Sequence, residues 1–207
     1  QDEPDKAAKL YAFYHSTHLH HAHVLAAQER LKNGIKPPLQ KDPAAAMAEA
    51  FTAIGEAMRG EERIDLALGY LRMAQHLDED NELISFSLAQ LLGQRERFVA
   101  AAEQFAEIDS DALLYRDAQI QRAQMLFEAG AAEAAIAVLN KQLKQQPQDR
   151  DLLISLGDLY RAETRFAEAE KSYDNAIALI DEISARDWHL YFVRGMMRER
   201  LGDWDMA

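Results

Sequence analysis

The sequence predicts an all-α chain of antiparallel helix hairpins stacked as a solenoid, and three observations predict it. Residues 150–180 spell two amphipathic helices with a break near Glu163–Arg165. Leu153, Leu156, Gly157 and Tyr160 follow helical spacing in the first, and Phe166, Ala169, Tyr173 and Ala176 in the second. The pattern returns when the frame moves back by 34 residues, to starts at Arg116, Glu82 and Ala48. Small residues recur where two helices have to approach: Gly157 becomes Ala123, Ala89 and Gly55, and Ala169 becomes Ala135, Ala101 and Ala67.

The large positions hold the same period. Tyr173 is matched by Leu139, Phe105 and Leu71, and Phe166 by Ala132, Phe98 and Ile64. Beyond Ile180 the frame slips by four residues and resumes at Trp188, with Tyr191, Gly195, Gly202 and Trp204 in register. The inter-helix turns are alike: Glu62-Arg63-Ile64, Glu96-Arg97-Phe98, Thr164-Arg165-Phe166 and Gly202-Asp203-Trp204. In each, the large last residue is expected to tuck under the preceding helix, and Trp188 and Trp204 are read as packing residues.

A large residue, Leu-Gly, Tyr, then Ala, an aromatic and Ala, repeated every 34 residues, resembles the tetratricopeptide repeat. The resemblance covers Ala48–Ala207 and implies a right-handed superhelix. Arg122 and Arg194 depart from it by standing where the pattern has Leu, and only Pro147 fills the closing proline.

Residues 1–33 read as an N-terminal helical segment, a worn earlier repeat with Leu10, Tyr14, Leu25 and Leu31 as its apolar stripe. Pro4 suits its first turn and Asn33-Gly34 its stop. Residues 34–47 read as a proline-rich linker leading into the first regular helix, with Asp42 as cap and Pro43 in the first turn. The array follows, in frames 48–81, 82–115, 116–149 and 150–187 and a partial frame 188–207. The last frame leaves Tyr191, Trp204 and Met206 uncovered, so the expectation is a piece of a longer array or self-association through this repeat.

Composition excludes several classes. The net charge is −12, from 23 basic and 35 acidic residues. Residues 1–43 hold six basic and five acidic side chains, so the repeats carry −13. That argues against a nucleic-acid partner and leaves room for a basic one. Without cysteine there is no thiolate nucleophile, disulfide or cysteine metal site. No apolar run approaches the roughly 18 residues of a transmembrane helix. No nucleophile elbow or phosphate loop accompanies the Ser, His and Asp residues, so a non-enzymatic chain without cofactor is expected. His15, His18 and His21 are spaced by three residues, which on a helix lets imidazoles of adjacent turns share a metal ion. No carboxylate stands three or four residues away to complete such a site, and a polar helix face is the default reading.

In the resembled family the first helix of each hairpin lines a concave groove through its fifth, ninth and twelfth positions. Here the fifth are Thr52, Phe86, Ile120, Ile154 and Phe192; the ninth are Glu56, Gln90, Gln124, Asp158 and Met196. The twelfth are Arg59, Gly93, Phe127, Arg161 and Glu199. An apolar stripe flanked by amides and carboxylates suits an amphipathic helix or an extended peptide. Family members that grip a terminal carboxylate use Lys at the fifth position and Asn at the ninth, and this chain has neither. Trp188-His189-Leu190-Tyr191-Phe192-Val193-Arg194-Gly195 is similar to a motif of long bacterial cell-envelope repeat proteins, some of them lipid-anchored adaptors for a protease. The resemblance implies a protein-binding scaffold or adaptor associated with the periplasm or outer membrane, with a cytoplasmic location as the alternative. A regulatory domain of a larger enzyme, and a histidine-based metal binder, are the rival readings.

Overall fold

The structure, a computed structural model, describes residues 30, 32–34, 42–59, 63–184 and 187–203. Among them are nine helices and no strand. They are α1 (Pro43–Ala57), α2 (Ile64–Leu77), α3 (Glu82–Gln94), α4 (Phe98–Ala106), α5 (Tyr115–Glu128), α6 (Ala132–Gln145), α7 (Arg150–Ala162), α8 (Phe166–Ile177) and α9 (Trp188–Leu201). The chain divides into two compact units, Gln1–Ala118 and Gln119–Ala207, with the boundary inside α5.

Two kinds of helix start alternate. The first helices α1, α3 and α7 begin at a side-chain cap, because an Asp or Asn oxygen satisfies amides that have no carbonyl one turn back; α9 does not. Asp42 accepts from the Ala44 amide, Asn81 from Leu83, and Asp149 from Asp151 and Leu152. Pro43 follows Asp42 at the first helical position, where its missing N–H costs nothing. The second helix of each complete hairpin has no such cap.

The turn into the second helix is instead set by the end of the first. The Arg97 amide donates to the Leu92 carbonyl, Ala131 to Leu126, Arg165 to Tyr160 and Asp203 to Arg198, at 2.8–2.9 Å. This six-residue closure needs one residue in the left-handed region just before it. The residues there are Glu96 (φ 56°), Gly130 (80°), Thr164 (58°) and Gly202 (80°). One turn geometry therefore closes four helices, α3, α5, α7 and α9, with glycine supplied in only two.

Packing within each hairpin rests on the expected alanines: Ala67, Ala101, Ala135 and Ala169 are all wholly buried. Gly55 plays the same part opposite Ala67; a Cβ there would stand 3.1 Å from Leu71 Cγ and 3.2 Å from the Ala67 carbonyl oxygen. In the first unit Phe86 and Phe105, both fully buried, meet edge to face with ring centres 5.2 Å apart. Burying such a ring contributes roughly 1.5–3 kcal/mol, against about 0–1 kcal/mol for an exposed ion pair such as Arg95–Asp65. Apolar packing therefore holds the hairpins, and surface charge adds little.

In the second unit one cluster gathers Ala123, Ala135, Ile136, Leu139, Leu152, Leu156 and Leu159. Another joins Leu153, Ala169, Tyr173 and Ala176 to Leu190, Val193 and Met197 of α9. The Arg198 side chain, 11% exposed, fastens α9 to α8 through Glu170 (2.7 Å) and Asp174 (3.2 Å). The two arginines that depart from the repeat pattern are accommodated by polar or aromatic neighbours. Arg122 donates to Gln119 Oε1 at 3.4 Å; Arg194 lies 5.4 Å over the Tyr191 ring and pairs with Asp174.

The turn residues divide. Ile64 is buried, while Phe98 and Phe166 are half-buried. Trp188 corrects the packing expectation: it is 64% exposed. It stands at the first residue of α9, where frames two to four carry the polar residues Glu82, Arg116 and Arg150. Trp204 and the segment 1–29 with its histidines lie outside the described residues.

Candidate protein-binding surface

The first helices of the hairpins are α1, α3, α5, α7 and α9, and the fifth, ninth and twelfth positions of each frame fall on them, except that Arg59 lies two residues past the end of α1. In the first unit the fifth positions are packed away. The Thr52 hydroxyl, 1% exposed, donates to the Ala48 carbonyl one turn back at 2.7 Å. Phe86 is enclosed against Phe105. Both were expected on the groove; the close approach of α3 and α4 encloses the Phe86 ring.

The ninth and twelfth positions do converge. Arg59 Nη1 and Nη2 both donate to Gln90 Oε1 at 3.0 Å, and Nη2 also donates to Glu56 Oε1 at 3.2 Å. Arg59 Nε lies 3.1 Å from Glu56 Oε2, and the two side chains are 20% and 7% exposed. Burial pulls the Arg59 guanidinium below its ordinary value, and Glu56 works against that shift. A carboxylate and a guanidinium buried together need each other, since either one alone would be an uncompensated charge. Glu56, Arg59 and Gln90 thus tie the end of α1 to α3.

The second unit repeats the arrangement with one change. Asp158 and Arg161 pair at 3.2 Å, again from ninth and twelfth positions, but each is about 40% exposed (42% and 41%). The third member is the Tyr173 hydroxyl from α8, which donates to Asp158 Oδ1 at 2.8 Å and accepts from Arg161 Nε at 3.2 Å. Burial, and after it the Asp158 charge, push the Tyr173 phenol well above its usual range, so it is a fixed hydrogen-bond donor at neutral pH. The Glu-x-x-Arg and Asp-x-x-Arg spacings at 56–59 and 158–161 are the sequence signal for these pairs.

The remaining residues divide by exposure. Ile120 and Phe127 are half-buried against the first cluster of the unit, Ile154 and Met196 against the second. Gln124 is exposed, and its amide donates to Glu128 Oε1 at 2.6 Å. Phe192 is 56% exposed and lies one turn beyond Trp188, ring centres 6.0 Å apart and tilted by 50°. The exposed aromatic surface at these positions is therefore on α9. Trp188 belongs to it, and sequence reasoning had assigned that residue to packing. No group of three or more metal-ligating side chains occurs among the described residues.

No protein-family model and no curated protein sequence matches the chain. Solved structures do. The crystal structure of PilW, a widely conserved type IV pilus biogenesis factor, is 18% identical over 100% of this chain and 90% of its own, with a TM-score of 0.64. MamA from Desulfovibrio magneticus RS-1, residues 41 to the end, is 17% identical over 76% and 86%, with a TM-score of 0.59. YrrB, a tetratricopeptide-repeat protein with an unusual peptide-binding site, is 12% identical over 96% and 87%, with a TM-score of 0.54. The chain has the tetratricopeptide-repeat fold.

Proposed function

We propose that the chain is a non-enzymatic protein-interaction scaffold that takes a peptide or an amphipathic helix along the first helices of its second unit. The observation that carries this reading is the exposed Trp188–Phe192 pair on α9, in which Phe192 stands at the fifth position, a register where the family pattern places ligand contacts. Exposed aromatics that present area at little entropic cost are the usual anchors of such surfaces. Ile154, Met196, Gln124 and Phe127 offer further partly exposed area on the same set of helices. The ligand is basic or neutral in this reading, because the repeats carry −13 and long-range charge suppresses acidic partners. In the first unit, Glu56 and Gln90 serve to lock α1 to α3, with Thr52 and Phe86 as core.

The finer form, an adaptor of the bacterial envelope serving a protease or an assembly complex, is supported by the 188–195 motif. A pilus biogenesis factor with the same fold supports it further.

The test is an array of ten-residue peptides with paired aromatic or leucine anchors, flanked by Lys/Arg, by Ser/Gln or by Asp/Glu. Binding of the first two sets, lost at least tenfold in Phe192→Ala, supports the proposal; preference for the acidic set overturns it. Sedimentation over a concentration range separates the rival use of the patch. A dimer abolished by Phe192→Asp would make it a self-association surface instead.

A further inference from the structure

The chain has four asparagines, Asn33, Asn81, Asn140 and Asn175. Three of them sit in fixed backbone. Asn81 caps α3: its Oδ1 accepts from the Leu83 amide at 3.1 Å, and its Nδ2 donates to Asp78 Oδ2 at 2.8 Å. Asn140 lies inside α6 and Asn175 inside α8. The residues that follow these three are Glu82, Lys141 and Ala176, each with a side chain beside the next amide nitrogen. Asn33 stands in a different setting. It is exposed, it comes directly after the helical residue Lys32, and it forms a turn with Gly34, which is exposed as well. Gly34 has φ +66°, and a Cβ built on it would meet nothing within 4 Å.

We propose that Asn33–Gly34 is a self-modification site, where Asn33 is converted without an enzyme into isoaspartate and aspartate. The Gly34 backbone nitrogen gives its proton to hydroxide or another base and attacks Asn33 Cγ. A new C–N bond forms, the Cγ–Nδ2 bond breaks, and Nδ2 takes a proton and leaves as ammonia. The product is a five-membered succinimide ring. Water then adds to one of its two carbonyl carbons and that carbon's bond to the ring nitrogen breaks. Opening at Cγ leaves aspartate; opening at the main-chain carbon leaves isoaspartate, whose chain runs on through Cβ and Cγ. Ring closure requires rotation about the Asn33 Cα–C bond to bring the Gly34 nitrogen to Cγ. Within α6 or α8 that rotation would break the helical hydrogen-bond ladder. At Gly34 the open space and the missing Cβ leave both the rotation and the attacking nitrogen unhindered. The reaction puts a carboxylate where a neutral amide stood, directly after a helical residue, and helix C-termini disfavour negative charge. Isoaspartate also lengthens the main chain by one carbon ahead of α1, so the change falls outside α1–α9.

The test ages the full chain at neutral and at mildly alkaline pH. Isoaspartate is measured by enzymatic methylation of its free α-carboxylate, and both products are located by proteolysis and mass spectrometry. Conversion at Asn33 should outrun that at Asn81, Asn140 and Asn175 at least tenfold, yield both products, and quicken as pH rises, because the attacking nitrogen must lose its proton. Gly34→Ala should slow it at least tenfold. The same chain unfolded in guanidinium gives the unprotected rate, and folded Asn33 should react within tenfold of it. A larger gap would mean that the turn shields the site, and would overturn the proposal. So would conversion at Asn33 no faster than at the other three asparagines, a rate untouched by Gly34→Ala, or aspartate formed without isoaspartate, which marks direct hydrolysis of the side-chain amide.

Discussion

The α-carbon of Gly157 lies directly beneath the Tyr173 ring: a Cβ added there would stand 2.6 Å from Tyr173 Cε1 and 2.8 Å from Cδ1. One frame earlier the same pair is Ala123 and Leu139, both buried. The small residue on the first helix is thus matched to the large one on the second. Gly157→Ala should cost about 1–3 kcal/mol through overpacking. In a Tyr173→Leu background the same change should cost nothing or stabilise by up to about 1 kcal/mol, since Ala is the better helix former. A double-mutant cycle by urea denaturation checks this. Additive effects would mean that the ring moves aside freely.

Thr164 occupies the left-handed turn position at φ 58°, where the frame before it has Gly130 and the next has Gly202. A β-branched residue there is strained by roughly 1–3 kcal/mol. Thr164→Gly should therefore raise stability by about 1 kcal/mol despite the greater freedom of glycine in the unfolded chain. The denaturation midpoint reads this directly, and a midpoint that falls would show that the turn tolerates Thr without strain.

Asp187 is an acid-sensitive group of the second unit. The Ser184 hydroxyl and amide donate to its Oδ2 at 2.7 and 2.9 Å, and Arg150 pairs with Oδ1 at 3.2 Å. The Ser184 bonds first, and Arg150 after them, hold its carboxyl below the usual carboxylate range. A depressed folded-state value means stability present above the unfolded value, about 4, and lost as pH falls through the folded one. The gap in melting temperature between wild type and Asp187→Asn should be open at pH 7 and close progressively below about pH 4. A gap independent of pH would show that the carboxylate charge contributes nothing.

The hairpins were legible because their cause is local and periodic. Ala67, Ala101, Ala135 and Ala169 recur every 34 residues and all lie at buried crossings. The surface was less legible because the same register position does different things along the chain. Phe86 and Phe192 share the fifth position, yet one is enclosed by Phe105 from its own hairpin and the other is open. Periodicity fixes which side of a helix a residue occupies; whether a neighbouring ring covers it depends on partners far away in sequence. The ion pairs at 56–59 and 158–161 have a local signal in their spacing, but their third members, Gln90 and Tyr173, come from other helices and were hidden for a related reason.

That contrast gives the most direct functional test. Phe86→Ala removes a fully buried ring and should cost about 3–5 kcal/mol of stability, a large part of what a small domain has. Its effect on ligand binding should vanish once measured per folded molecule. Phe192→Ala removes a ring that is 56% exposed and should leave stability within about 0.5 kcal/mol. If Phe192 anchors a ligand, truncation should weaken binding by at least tenfold, about 1.4 kcal/mol, and Trp188→Ala should do the same. Calorimetric melting and titration of an array-selected peptide, run on the same samples, separate the two roles. Equal loss of binding per folded molecule in Phe86→Ala would place the ligand on α3, and the proposed surface on α9 would fall.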